Sequence, residues 1–301
     1  MVPTTTGPSH AATTDTPARR DWVQPAWSAG AHDVSTVRSG APGAVTREWA
    51  YGDGTGAGVR VCIVDSGIDA SHPLVGAVER AITIEAGVGG RPTVASDTEG
   101  DVVGHGTGCA GIVRTMAPRA SVTSVRVLGP RCTGTISALM AGLSWAVEEH
   151  FDVINLSLSS RKAEWRDELH QLTDRASFNG SAVVASANNW AATSWPWAFS
   201  SVISVGSHAP TDDGERLQAN PTPPARFFAP GIKVRVAWPG GGTRQVTGNS
   251  FATPHVAGHV ARILGAHPGM GVPELIHVLT CIADNATTRP PATPSRLEPL
   301  S

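Results

Sequence analysis

Apolar residues in this chain fall into two kinds of pattern. Short β-rich runs come first: Val59, Val61, Ile63 and Val64, closed by Asp65-Ser66-Gly67, then Val122, Val125 and Val127, then Val153-Ile154-Asn155-Leu156. Ala182-Val183-Val184-Ala185 and Val202-Ile203-Ser204-Val205 are the next two. Runs of this length, bounded by turn residues, predict strands buried on both faces. Helical spacing fills the gaps, with Ile136, Leu139, Met140, Leu143 and Val147 in one and Trp165, Leu169, Leu172 and Ala176 in another. Pro273 in a first turn, followed by Leu275, Val278, Leu279 and Ile282, predicts a closing helix. Buried strands alternating with amphipathic helices specify an α/β fold, a mostly parallel sheet covered by helices on both faces. Ligands of such sheets bind at the carboxyl ends of the strands. That directs attention to Asp65-Ser66-Gly67 and to Asn188-Asn189, which follow the first and fourth runs. The sequence carries no internal repeat.

Composition narrows the class. Of 301 residues, 41% are hydrophobic and 33 are glycines, so about half the chain is apolar, as in an ordinary globular domain. A formal charge of −2 gives no electrostatic case for nucleic acid or an anionic membrane as partner. No run approaches the ~18 apolar residues of a membrane span. Residues 1–20 and the proline-rich 288–301 read as disordered tails around one domain over 21–287. Met1 to Gly30 is rich in Thr, Pro and Ala, without the basic and apolar regions of a secretory signal. A cytoplasmic protein is expected on that reading, or a secreted one if a signal has been removed. Cys62, Cys109, Cys132 and Cys281 match no metal spacing and read mostly as buried thiols.

Three segments carry candidate chemistry: Val64-Asp65-Ser66-Gly67-Ile68-Asp69, Gly104-His105-Gly106-Thr107-Gly108-Cys109-Ala110-Gly111, and Gly248-Asn249-Ser250-Phe251-Ala252-Thr253-Pro254-His255-Val256-Ala257-Gly258. Each alone has an ordinary structural reading, as a turn, a loop and a capped helix start. Together they supply Asp, His and Ser in one chain order on one α/β scaffold.

On these residues the sequence resembles the subtilisin-like serine peptidases. The third segment matches the Gly-x-Ser-x-Ala-x-Pro-His-Val-Ala-Gly pattern at every fixed position. Ala117-Pro118, Ile154-Asn155-Leu156-Ser157-Leu158 and Val183 to Asn189 extend the likeness, which covers roughly Val59 to Ala283. The resemblance implies the three-layer fold of that family and an Asp65, His105, Ser250 triad, with the Asn189 amide in the oxyanion hole. It further implies substrate contacts at Ser157, Leu158, Ser159, Leu128, Gly134 and Trp190. No cofactor and no metal are expected, and the partner is a peptide or protein substrate met by a monomer.

Departures from the family pattern qualify this. Asn188 stands where Gly is usual, and Ser159-Ser160 replace a usual Gly-Gly along one wall of the first substrate pocket. The chain runs from Gly111-Ile112-Val113-Arg114-Thr115 straight into Met116-Ala117-Pro118, without the calcium loop many relatives insert there. The stretch before Asp65 reads as too short for a folded propeptide beside its share of the domain, so the expectation is an enzyme that folds unaided or one whose propeptide has been removed. His255 and His259, four apart, read as packing rather than a metal pair, and Asp212-Asp213 as a solvated turn rather than a calcium loop. The expectation is a selective processing endopeptidase. The alternatives are a macrocyclising transpeptidase using the same acyl-enzyme, a secreted degradative protease, or a binding module that has lost catalysis. The intact set of four residues argues against the last.

Overall fold

The computed structural model describes residues 28, 30, 37–39, 45–209, 214–222 and 224–288. Residues 1–20, most of the expected C-terminal tail and Asp212-Asp213 lie outside them. Thr288, placed in that tail by its sequence, closes a strand.

The first half of the chain forms β1 (Val37–Ser39), α1 (Arg47–Tyr51), β2 (Arg60–Asp65), β3 (Arg80–Ala86), β4 (Pro92–Ser96), α2 (His105–Met116) and β5 (Ser121–Arg126). There follow α3 (Ile136–Glu148), β6 (Val153–Leu156), α4 (Arg166–Phe178), β7 (Ala182–Ser186) and β8 (Ile203–His208). The last part holds β9 (Gln218–Ala219), β10 (Phe227–Pro230), β11 (Val234–Trp238), β12 (Gly242–Val246), α5 (Asn249–Ala266), α6 (Val272–Ile282) and β13 (Ala286–Thr288).

Nine strands make one sheet in the order β4-β3-β5-β2-β6-β7-β8-β10-β9. Neighbours from β3 to β10 pair in parallel, and only the edge pairs β3–β4 and β9–β10 are antiparallel. The chain leaves β2 toward β3, returns through β5 and then crosses to β6, so β2 is the point where progress across the sheet reverses. Crevices beyond the carboxyl ends of strands at such reversals are where ligands bind.

Alternation within the strands builds two cores. Val61 and Ile63 of β2 pack with Val122, Val153 and Val184 against α2 and α5 on one face. Cys62 and Val64 turn the other way, joining Ile154, Leu156 and Val183 against Leu143 of α3 and Leu169 of α4. The sheet is therefore covered on both faces, as the patterning predicts. Helix α5 is buried along nearly its whole length, which explains why it shows no one-sided periodicity.

Two local arrangements answer questions raised by the sequence. The Tyr51 hydroxyl donates to His259 Nδ1 (2.7 Å), and His259 Nε2 donates to the Glu215 carbonyl (3.1 Å). Both ring nitrogens are thus committed, which leaves none for a metal. Burial, with Arg262 nearby, lowers the His259 pKa to about 3. At the other end of α2, the Arg114 guanidinium donates to the main-chain carbonyls of Val75, Ala77, Pro118 and Ala120. This group of carbonyls, beside the shortened connection to β5, is served by an organic cation.

Candidate active site

Asp65 ends β2 and is 1% exposed. Its position is fixed through the main chain, because its carbonyl accepts from the N–H groups of Val127 (2.8 Å) and Leu128 (3.2 Å). His105 opens α2. The preceding Gly104 has φ 107°, and a Cβ there would collide with the Trp238 ring. Only glycine meets both conditions. His105 Nδ1 donates to both carboxylate oxygens of Asp65 (2.8 and 2.9 Å). That fixes the tautomer with its lone pair on Nε2, which faces the Ser250 hydroxyl at 2.9 Å. The three side chains form one unbroken hydrogen-bonded line.

A fourth residue holds the line in place. The Asp101 carboxylate accepts from the backbone N–H groups of Val103, Gly104 and Thr107 at 2.7–2.9 Å. It also accepts from the hydroxyls of Ser66 (2.8 Å) and Thr107 (2.6 Å). A carboxylate satisfying the first N–H groups of a helix stabilises that end, so Asp101 anchors the turn that presents His105. Nothing in the sequence marks Asp101, since its partners are joined only by the fold.

Ser250 lies in the first turn of α5. Its neighbour Asn249 is fully buried and ties the helix start to the exits of β7 and β8. Asn249 Oδ1 accepts from the Ser207 N–H (2.9 Å) and hydroxyl (2.7 Å), while Nδ2 donates to the Asn188 carbonyl (3.1 Å). The Asn189 side-chain oxygen accepts from the Asn249 N–H (2.9 Å), which turns its amide nitrogen away from the helix. A Cβ built on Gly248 would sit 3.0 Å from Ser250 Oγ and 3.6 Å from Asn189 Nδ2. The two groups therefore border one small space, also served by the positive end of a helix. An oxygen bearing negative charge is what such a space accommodates.

Electrostatics favour proton transfer along the line. Burial alone pulls the His105 pKa down, but the Asp65 carboxylate outweighs it and leaves the imidazole well above its usual 6.5. The Cys109 thiol lies beneath the pair, 3.8 Å from Asp65 Oδ2 and 3.9 Å from His105 Nδ1. Burial raises its pKa and keeps it neutral. Among the described residues, Asp65, His105 and Cys109 are also the one cluster of potential metal ligands. The three are engaged with each other, and His105 and Cys109 also reach Ser250, so an ion between them would displace the proton that the geometry requires.

The expected substrate-contacting residues divide. Leu128, Gly134, Leu158 and Ser159 line one cleft of about 570 Å³, with Lys162 at its edge. Ser157 has a different place: its hydroxyl donates to the Ser250 carbonyl (2.7 Å) and accepts from Asn155 Nδ2 (3.2 Å), bracing the nucleophile's backbone. Trp190 is 71% exposed, and its N–H donates to Asn188 Oδ1 (2.8 Å).

A parallel sheet with an Asp–His–Ser line at its reversal point defines the subtilisin class of serine hydrolase. Residues 56–297 match the model of the Subtilase family, and the chain belongs to that family as a subtilisin-like serine endopeptidase. Subtilisin DY of Bacillus licheniformis is 32% identical over 250 residues, covering 76% of this chain and 85% of that protein. Subtilisin E of Bacillus subtilis is 33% identical over 71% of this chain, which spans 57% of that relative's length. A cold-adapted subtilisin-like serine proteinase has a similar crystal structure, with a TM-score of 0.58 and 25% identity. That match covers 78% of this chain and 88% of the other. Among the described residues, no helix is long and apolar enough to cross a membrane.

Proposed function

We propose that this chain cleaves peptide bonds through an acyl-enzyme on Ser250 and that it does so selectively. The observation that carries the first part is the continuous hydrogen-bonded line from Asp65 through His105 to Ser250, with the Asn189 amide across the space beside the nucleophile. Ser250 Oγ attacks the substrate carbonyl while His105 Nε2 takes its proton. The carbonyl oxygen gains negative charge against Asn189 Nδ2 and the Ser250 N–H. His105, paired with Asp65, then gives its proton to the departing amine, and a water repeats the sequence to release the acyl group.

A fluorophosphonate probe tests this directly, and it should label the native protein at Ser250. Ser250→Ala should abolish labelling and lose turnover on the order of 10⁶, a magnitude known from subtilisin itself. Asn189→Ala should lose about 10²–10³, again the subtilisin value. Full labelling of the Ser250→Ala variant would refute the assignment.

Selectivity is supported by the cleft wall, where Ser159 and Ser160 are among the lining residues, and by the exposed Trp190 directly after Asn189. A narrow processing role, trimming one dedicated peptide or protein, follows from such walls. Turnover of casein set against turnover of a peptide library decides it, since rapid and indiscriminate digestion of casein would exclude a processing role.

A further inference from the structure

The geometry around Ser250 fixes where each half of a substrate lies, granted the catalytic reading above. The leaving amine must reach His105 Nε2, on the side of β2. The side chain of the acyl-side residue therefore points the other way, into the gap between the exits of β6 and β7, the next two strands in the sheet. Those exits are Ser157-Leu158-Ser159 and Asn188-Asn189.

That gap is barred. Asn188 Nδ2 donates to Ser194 Oγ (3.2 Å), and Ser194 Oγ donates to Ser159 Oγ (2.9 Å). The Trp197 indole N–H also donates to Ser194 Oγ (2.8 Å). Ser194 is fully buried. Its hydroxyl uses its one proton and both lone pairs, so it cannot turn aside without stranding a partner. The segment that carries it is fixed as well. Ser160 and Trp195 exchange two main-chain hydrogen bonds (2.8 and 2.9 Å), zipping the exit of β6 to the stretch after β7. Asn188 is held at its other end by the Trp190 N–H on Oδ1 and by Asn249 on its carbonyl.

We propose that the Ser159–Ser194–Asn188 bar is the floor of the pocket for the acyl-side residue and restricts that residue to small side chains such as Gly, Ala or Ser. A large aromatic side chain can enter only by breaking the two hydrogen bonds that Ser159 and Asn188 make to the buried Ser194 hydroxyl. Unpaired buried polar groups of this kind discriminate strongly.

The test compares two peptides that differ only in the acyl-side residue, Ala or Phe, in the native enzyme and in an Asn188→Gly/Ser159→Gly variant. The native enzyme should prefer Ala by on the order of 10² in kcat/KM, and the variant should shift the ratio toward Phe at least tenfold. Ser194→Ala, which removes the shared hydroxyl alone, should shift the ratio in the same direction and serves if the double variant does not fold. Equal cleavage of both peptides by the native enzyme, or an unchanged ratio in a folded variant, overturns the bar. Failure of the catalytic reading looks different: neither peptide is cut and a fluorophosphonate does not label Ser250. Labelling together with a flat ratio removes only the pocket inference.

Discussion

Replacing Arg114 by methionine keeps the aliphatic stem of the side chain and removes the guanidinium that joins Val75 and Ala77 to Pro118 and Ala120. The four carbonyls do not suffer equally. Ala77 and Pro118 are exposed residues whose carbonyls water can serve, whereas Val75 is 3% exposed and Ala120 fully buried. Two buried acceptors are therefore left unsatisfied, at about 1–3 kcal/mol each, or roughly 4 kcal/mol together. For a domain of this size ~1 kcal/mol moves the midpoint by about 2–4 °C, so Tm should fall by roughly 8–16 °C. Differential scanning calorimetry, run on a Ser250→Ala background to prevent self-digestion, reads the shift without interference. Calcium should not restore the loss, because methionine offers a divalent ion no oxygen. A drop smaller than about 2 °C would show that water replaces the guanidinium freely and that the residue is no keystone.

Other expectations follow from the same contacts. Since a guanidinium serves the carbonyl group beside α2, EDTA should leave the native Tm nearly unchanged; a calcium site at a hundredfold excess over Kd would contribute about 2.7 kcal/mol, and a clear drop on chelation would reveal one. Because Asp65 holds the His105 pKa well above 6.5, kcat/KM should rise with pH along a limb centred above 6.5, and a midpoint at or below that value contradicts the pairing. The same ion pair contributes stability that is present below pH 6.5 and fades as pH climbs through the folded pKa. His259 has the opposite sign: with its folded pKa near 3, stability should be lost as pH falls from 6.5 toward 3, at up to about 1.4 kcal/mol per pH unit. Urea titrations of the native protein and His259→Gln across that range should show a steeper pH dependence for the native chain, and equal slopes would dismiss the assignment. Asn249→Ala should lower kcat more than it raises KM, since Asn249 positions Asn189 and Ser250 without touching substrate. A change confined to KM counts against that role.

The parts of the fold legible in the sequence are those with one dominant environment. β2, β5, β6, β7 and β8 are nearly wholly buried, so their β-branched runs stand out, as does the one-sided spacing of α3, α4 and α6. β4 and β12 are almost entirely exposed, and polar strands at an edge or in a hairpin carry no apolar pattern to find. β10 is short and ends in proline, which conceals a buried strand. Helices α2 and α5 were marked by their chemical motifs instead, since glycine and alanine fill positions that periodicity would otherwise reveal. The site divides similarly. Asp65, His105, Ser250 and Asn189 lie in recognisable segments, but Asp101, Asn249 and Ser194 act through partners that only the tertiary structure brings within reach. Ser157 was legible as part of the site, though its hydroxyl holds the backbone of Ser250 rather than lining the cleft.

Helix α5 carries the nucleophile through the interior, with Phe251, Val256, Val260 and Ile263 all inside the packed core. Amides in such a segment exchange with solvent only when the whole domain opens. Catalytic competence and the native state therefore come and go together, and a partly unfolded active form has no place to exist. For an endopeptidase this has a kinetic meaning. Closed molecules are the enzyme in solution, and open ones are the readily cut substrate among their own kind. Self-destruction then needs one of each. Where opening is fast relative to cleavage, it proceeds at the cleavage rate scaled down by the small open population. Substitutions far from Ser250 that deepen the native well should lengthen the working life of the enzyme without altering a single turnover.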